Sequence, residues 1–357
     1  MAREHIPRVV MVTGGAGFIG ANFVPYLLET HGEVRVVVYD ALTYAGNLRN
    51  LEGLDARHPG RYRFVHADIC DETTVRSVLH DEAVDTIVHF AAESHVDRSI
   101  DAPAAFLRTN IMGTYTLLQE ARRAWGTRDD VRFHHVSTDE VYGSLGPEGA
   151  FDERTPYDPS SPYSASKAAA DHLVRAWQRT YGLAVTLTNC SNNYGPYQFP
   201  EKLIPLCIMN ALEEKPLPIY GDGLNVRDWL YVEDHCRAVD LVVRKAARGS
   251  IYAIGGRAEL PNIEVVGRLC DLLDAMAPRQ GGGSYRQLIT YVPDRPGHDR
   301  RYAMNPRRIE EELGWHPRET FQSGLVKTVR WYLDHRDWVE EIRTGRYRGE
   351  RLGLGGR

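Results

Sequence analysis

A short β-branched run at 8–13 ends in Gly14-Gly15-Ala16-Gly17-Phe18-Ile19-Gly20, and a helix-forming stretch follows at 21–30. No other feature of the chain restricts its fold as much. Glycines at this spacing let a turn tighten, let backbone N–H groups approach a pyrophosphate, and let the helix close on the strand. A purely structural turn could use the same residues, so the context decides. Asp40 stands 20 residues beyond Gly20, after a second strand pattern at 34–39. A carboxylate there accepts hydrogen bonds from a ribose diol and repels a 2′-phosphate, which favours NAD over NADP. Asp68 and Ile69 follow a third strand pattern at 62–66, either against an adenine or in a solvated turn.

Strand patterns recur at 86–90, 131–136 and 184–189, with helix patterns at 72–79, at 104–124 and from 163. Alternation of this kind predicts βαβ units, hence an α/β fold with a doubly wound parallel sheet (Rossmann type) over 1–190. Beyond Cys190 the chain becomes turn-rich. Residues 191–340 therefore read as a smaller mixed α/β substrate-binding lobe over the carboxyl ends of the strands, and the chain is free to cross between lobes more than once. The Gly- and Arg-rich stretch 345–357 reads as a flexible tail.

Composition excludes several functions. A net charge of -5 argues against a nucleic-acid surface. No apolar run reaches the roughly 20 residues that cross a bilayer, and 9–12 is too short for a signal peptide. The five cysteines are scattered, with no Cys-x-x-Cys. They read as free thiols in a reducing cytoplasm. No His and Cys spacing suits a metal, and His134-His135 reads as packing.

Two clusters carry chemistry. In Tyr163-Ser164-Ala165-Ser166-Lys167 the Tyr and Lys share one helix face, one turn apart. An ammonium there is expected to pull the phenol toward neutrality and make it a base. In Ser137-Thr138-Asp139-Glu140 two adjacent carboxyls follow an apolar strand. Alcohol oxidation needs one base; an extra acid/base pair points to a second proton step, such as an elimination. Strand neighbours point to opposite faces, so the local geometry is expected to break just after Val136.

These motifs, with TGGAGFIG at 13–20, LTYAGN at 42–47, FAAESHVDRSI at 90–100, STDEVYG at 137–143, SPYSASK at 161–167, NCSNNYGPYQFPEKLIP at 189–205 and RPGHDRRY at 295–302, resemble the extended short-chain dehydrogenase/reductase family, and within it the sugar-nucleotide 4,6-dehydratases. The resemblance runs from the glycine loop to about residue 331. It implies dTDP-glucose as substrate, with a UDP-, GDP- or CDP-hexose as the alternative. An epimerase of the same family would share the Gly loop, Tyr163 and Lys167, but small or hydroxyl residues are expected there in place of Asp139 and Glu140.

The implied roles follow residue by residue. Tyr163 takes the C4 hydroxyl proton, Lys167 supports it, and Thr138 holds the C4 oxygen. Glu140 removes the C5 proton and Asp139 protonates the departing C6 hydroxyl. NAD is held by Gly14, Gly17, Phe18, Ile19, Gly20, Asp40, Thr43, Asp68, Ile69, Ala91, Ala92, Thr109, Tyr163, Lys167 and Asn193. The sugar nucleotide is held by Ser94, Thr138, Asn192, Lys202, Leu203, Pro218, Tyr220, Arg227, Asn262, Arg295 and His298. A homodimer through a four-helix contact is also implied, using the helices from Ala104 and Tyr163. Leu107, Ile111, Tyr115 and Leu118 recur at helical spacing, which suits that contact or ordinary core packing.

Overall fold

The computed structural model describes residues 4–345, so the tail expected at 345–357 lies, but for its first residue, outside the described residues. The strands in chain order are β1 (Val9–Thr13), β2 (Arg35–Asp40), β3 (Tyr62–His66), β4 (Thr86–His89), β5 (Arg132–Thr138), β6 (Val185–Cys190), β7 (Asn192–Tyr194), β8 (Leu217–Tyr220), β9 (Val226–Tyr231), β10 (Ile251–Ile254), β11 (Glu259–Pro261) and β12 (Ile289–Val292). Seven form one sheet in the order β10-β6-β5-β4-β1-β2-β3, with every pair parallel.

Side chains alternate across this sheet. Val10, Val12, Val36 and Val38 face a layer holding Phe23, Val24 and Leu27 of the helix Phe18–Thr30, and Val239, Val242 and Val243 of the helix Val232–Lys245. Met11, Val37 and Ile87 face the opposite layer, with Leu117, Leu118 and Val174. Both faces are covered, so β1 and the centre of β2 are continuous apolar runs, while β5 and β6 bury polar residues such as His134, Thr186 and Thr188. The sheet takes β10 from beyond residue 190, so the chain does return to it. A three-stranded sheet (β11-β9-β7) and a two-stranded one (β12-β8) form the second lobe's framework.

Two local differences from the sequence reading bear on the site. The helix expected over 104–124 is interrupted: a π-helical stretch, Leu107–Gly113, joins Pro103–Phe106 to Thr114–Trp125. Within this stretch Asn110 Nδ2 donates to Ser166 Oγ (2.8 Å) and to Glu93 O (3.0 Å), tying it to the helix that carries Tyr163. Strand β5 runs to Thr138, and the break comes there as a 3-10 turn, Asp139–Tyr142. Pairing with β6 holds the chain extended through Ser137 and Thr138, two residues further than the apolar pattern signals.

Candidate active site

The crevice opens outside the carboxyl ends of β1 and β4, where the strand order reverses. Gly14 has φ +69°, and a Cβ there would lie 2.7 Å from Ala91 N. At Gly20 a Cβ would lie 2.3 Å from Gly14 O and 2.5 Å from Gly15 Cα. Gly17 is different: a Cβ would meet only Gly14 O, at 3.3 Å, so packing within the protein does not exclude a side chain. Gly17 caps the helix Phe18–Thr30 without a side-chain bond. Phe18, Ile19 and Gly20 therefore bring unpaired N–H groups of a helix N-terminus to the crevice wall. A loop kept bare where only a ligand would need the room fits a dinucleotide pyrophosphate. Gly20→Ala is expected to cost about 1–3 kcal/mol, because both neighbouring atoms are backbone and cannot yield. Thermal denaturation and the NAD content of the purified variant check it; wild-type values in both would refute the argument.

Asp40 has a second task beyond the one its position predicts. Its Oδ2 accepts from Ala16 N (3.0 Å) and its Oδ1 from Leu42 N (2.8 Å). These bonds fix the carboxylate at the edge of the crevice, where a ribose diol is expected. Thr43, Asp68, Ile69, Ala91, Ala92, Thr109 and Asn193 all line the same crevice. The structure thus brings every residue expected around NAD to the lining of one crevice.

Thr138, Asp139, Glu140, Tyr163 and Lys167 line its inner end. The 3-10 turn after Thr138 lets both carboxyls enter it. Thr138 Oγ1 donates to Asp139 Oδ1 (3.2 Å) and accepts from Glu140 N (3.2 Å). Asp139 Oδ2 is buried with no hydrogen-bond partner among the described residues. Burial, reinforced by the Glu140 charge, holds Asp139 well above the usual carboxylate range. Burial also raises Glu140, but Arg295, Lys202 and Arg227 oppose it. Of those three cations only Arg227 acts on Asp139 appreciably. The pair is therefore biased toward a protonated Asp139 beside an ionised Glu140.

Tyr163 departs from expectation. Its phenol is held well above the ordinary value, first by burial and then by the Glu140 charge. The Lys167 ammonium donates instead to Val136 O, at 2.9 Å. Burial pulls Lys167 down, against the charge of Asp171. Asp171, one turn further along the helix Pro162–Tyr181, is buried against His135 Nε2 at 3.1 Å and accepts from Ser137 Oγ and Tyr157 OH, both at 2.8 Å. The one-turn spacing brings Tyr163 and Lys167 into one crevice but does not itself lower the phenol, because burial and the charges of Glu140 and Asp139 hold it up.

The substrate side divides. Ser94, Asn192 and Lys202 line the crevice, and Lys202 Nζ donates to Ser94 O (3.1 Å). Leu203, Pro218, Tyr220, Arg227, Asn262, Arg295 and His298 are not among its lining residues. Tyr220 and Arg295 instead meet on Asp97, at 3.0 and 2.8 Å, with the His298 ring 6.0 Å from that of Tyr220. Arg227 lies 4.2 Å over the Tyr302 ring and donates to Val226 O and Asp299 O. These residues form an adjoining cationic shelf whose charge still reaches Glu140.

Sequence reasoning missed Tyr44, Phe199 and Glu201, which also line the crevice. Arg98 stacks 4.1 Å over Tyr44 and donates to the buried Glu201 (3.2 Å), while Phe199 packs edge-on to Tyr44. All three lie inside the motif blocks at 42–47 and 189–205, yet nothing local marks them, because each acquires its partner from another block.

Comparison with known proteins extends the geometry. A family model described as GDP-mannose 4,6 dehydratase matches residues 11–328. The dTDP-glucose 4,6-dehydratase of Salmonella typhimurium is 55% identical over 352 residues, covering 95% of this chain and 96% of that protein. That of Neisseria meningitidis serogroup B is 54% identical over 356 residues, covering 98% and 99%. Among solved structures, a dTDP-glucose 4,6-dehydratase from Streptomyces venezuelae with NAD bound superposes with a TM-score of 0.86 at 50% identity, covering 94% of this chain and 99% of that one. A UDP-glucose 4-epimerase from Thermus thermophilus, also with NAD, reaches 0.80 at 28% identity, covering 92% and 99%. The fold alone thus serves more than one reaction on nucleotide sugars.

Proposed function

The chain belongs to the GDP-mannose 4,6-dehydratase family, and from that premise we propose that it is an NAD-dependent dehydratase converting dTDP-glucose to dTDP-4-keto-6-deoxyglucose. The relatives at 55% and 54% identity favour dTDP-glucose over GDP-mannose. One observation carries the chemistry: Asp139 and Glu140, in unlike charge surroundings, share a crevice with Tyr163 and Lys167. An epimerase has no use for that pair.

Tyr163 Oη takes the proton of the C4 hydroxyl, whose oxygen Thr138 holds. The chemistry that bound NAD+ supplies is hydride acceptance from C4, hydride return to C6, and a positive charge that counters the forces raising Tyr163. The ketone at C4 acidifies the C5 hydrogen, because the resulting carbanion is delocalised as an enolate. Glu140 takes that proton. Asp139 gives its proton to the C6 hydroxyl, and water leaves. Glu140 then returns a proton to C5. Each cycle leaves Tyr163 one proton richer and Asp139 one poorer, so the two re-equilibrate before the next turnover. Lys202 and the cationic shelf of Arg227 and Arg295 balance the substrate diphosphate.

Residues 1–190 serve as the NAD-binding part and 191–340 as the sugar-nucleotide lobe, with β10 lent back to the main sheet. A homodimer accords with the surface: Leu107, Met112 and Tyr115 are exposed along one helical stretch, whereas Leu118 belongs to the core. Among the described residues no helix is long and apolar enough to cross a membrane, and all five cysteines are unpaired, which accords with a cytoplasmic enzyme.

Mass spectrometry of the purified protein with dTDP-glucose in D2O, without added NAD, tests this reading. Loss of one water with one deuterium gained at C5 is expected. Dehydration of UDP-glucose or GDP-mannose alone would overturn the nucleotide assignment, and epimers without dehydration would overturn the role of Asp139 and Glu140.

A further inference from the structure

A buried relay joins the end of the described chain to the phosphate loop. Trp338, on the helix Arg336–Gly345, donates from Nε1 to Asn50 Oδ1 at 2.7 Å. Asn50 Nδ2 in turn donates to Ala16 O at 2.8 Å. Trp338 is 4% exposed and Asn50 6%, so neither bond competes with solvent. Ala16 O also accepts from Asn47 N (3.1 Å), and Ala16 N donates to Asp40 (3.0 Å). The residue just before Gly17 is thus gripped at both its N–H and its C=O.

The chemistry of the relay is selective. An indole N–H only donates and a carbonyl only accepts, so the group between them must accept on one side and donate on the other. A primary amide does this; a carboxylate or an alkyl group does not. The surroundings hold the relay from outside as well. Arg49 pairs with Asp337 (2.6 Å) and Glu341 (2.5 Å), and the Trp338 ring packs on Trp331 and Tyr197. Through Asn50, 288 positions away from Trp338 in sequence, this helix therefore buttresses the loop at the dinucleotide site.

We infer that Trp338 is a positioning residue for the cofactor: acting through Asn50, the helix Arg336–Gly345 keeps the phosphate loop in its binding shape and slows the release of NAD. The inference rests on the NAD site described above, and not on the identity of the sugar nucleotide. Slow release suits a redox-neutral cycle, in which the cofactor ends as it began and has no need to exchange.

The test is the release rate of labelled NAD chased with excess unlabelled NAD, in wild type, Trp338→Phe and Asn50→Asp. Trp338→Phe removes the donor and also trims the packed indole to a smaller ring, so Asn50→Asp, which conserves volume, controls for lost packing. Asn50→Asp keeps the acceptor for Trp338 and sets a carboxylate oxygen against Ala16 O. Release about tenfold faster is expected for Trp338→Phe, the worth of one buried hydrogen bond, and at least as fast for Asn50→Asp. A purely structural role would lower the melting temperature of the NAD-free protein and leave the release rate unchanged; that result overturns the inference. Should Trp338→Phe not fold, Asn50→Asp carries the test alone, with wild-type release again overturning it. A wild-type protein that neither carries nor takes up NAD would overturn the cofactor site itself, and the inference with it.

Discussion

Replacing Tyr163 with phenylalanine is expected to lower turnover of dTDP-glucose about a thousandfold while leaving the fold intact. The reasons for the intact fold are local. Tyr163 enters the helix Pro162–Tyr181 one residue after its start, where Pro162 presets the first turn and Ser161 and Ser164 form a reciprocal cap. Its ring packs edge-on to Phe106, with centroids 6.3 Å apart, and phenylalanine preserves that contact. The loss is therefore chemical. Without the hydroxyl no group remains at this position to take the C4 proton, and oxidation, the first step, stops. Turnover within tenfold of wild type would remove Tyr163 from the role of base. Thermal denaturation of the variant, expected to match wild type within about 1 kcal/mol, separates the chemical explanation from misfolding.

The second large effect is expected at Glu140, and it has a different signature. Glu140→Gln should still oxidise C4, then halt before water leaves, again with turnover down about a thousandfold. The bound cofactor would stay reduced, which its near-ultraviolet absorbance reports, and C5 would exchange no deuterium with solvent. Arg295, Lys202 and Arg227 hold the wild-type carboxylate toward its ionised form, as a base requires. Glutamine removes the negative charge beside Asp139 and Tyr163 as well, and that charge is one cause of their raised pKa values. The variant is thus expected to keep the oxidation step while losing the elimination. Deuterium incorporation at C5 at the wild-type rate would assign the C5 proton to another residue.

Much of the fold was legible because its signals are local. The β1 run, the glycine spacing and Asp40 at the end of β2 each depend on residues within one supersecondary unit, and the sheet places them as that unit requires. The helical spacing of Tyr163 and Lys167 is of the same kind. The stripe Leu107, Ile111, Tyr115 and Leu118 was ambiguous for an equally physical reason. Tyr115 faces outward and Leu118, three residues further along the same α-helix Thr114–Trp125, enters the core, so the stripe straddles the boundary between surface and core and its spacing alone fits both readings.

The sequence by itself determined the dinucleotide loop, the parallel sheet and the presence of an acid pair beside a Tyr-Lys pair, because periodicity and spacing act over a few residues. Only the tertiary structure sets the two carboxyls apart, Asp139 held further above its usual range than Glu140, since that depends on charges from Lys202, Arg227 and Arg295, brought in by three separate stretches of chain. It alone decided that Lys167 turns to Val136 O, that Glu201 pairs with Arg98, and that Trp338 reaches Ala16 through Asn50. Desolvation and hydrogen-bond partnership are sums over neighbours in space, and those neighbours come together only when the chain has folded.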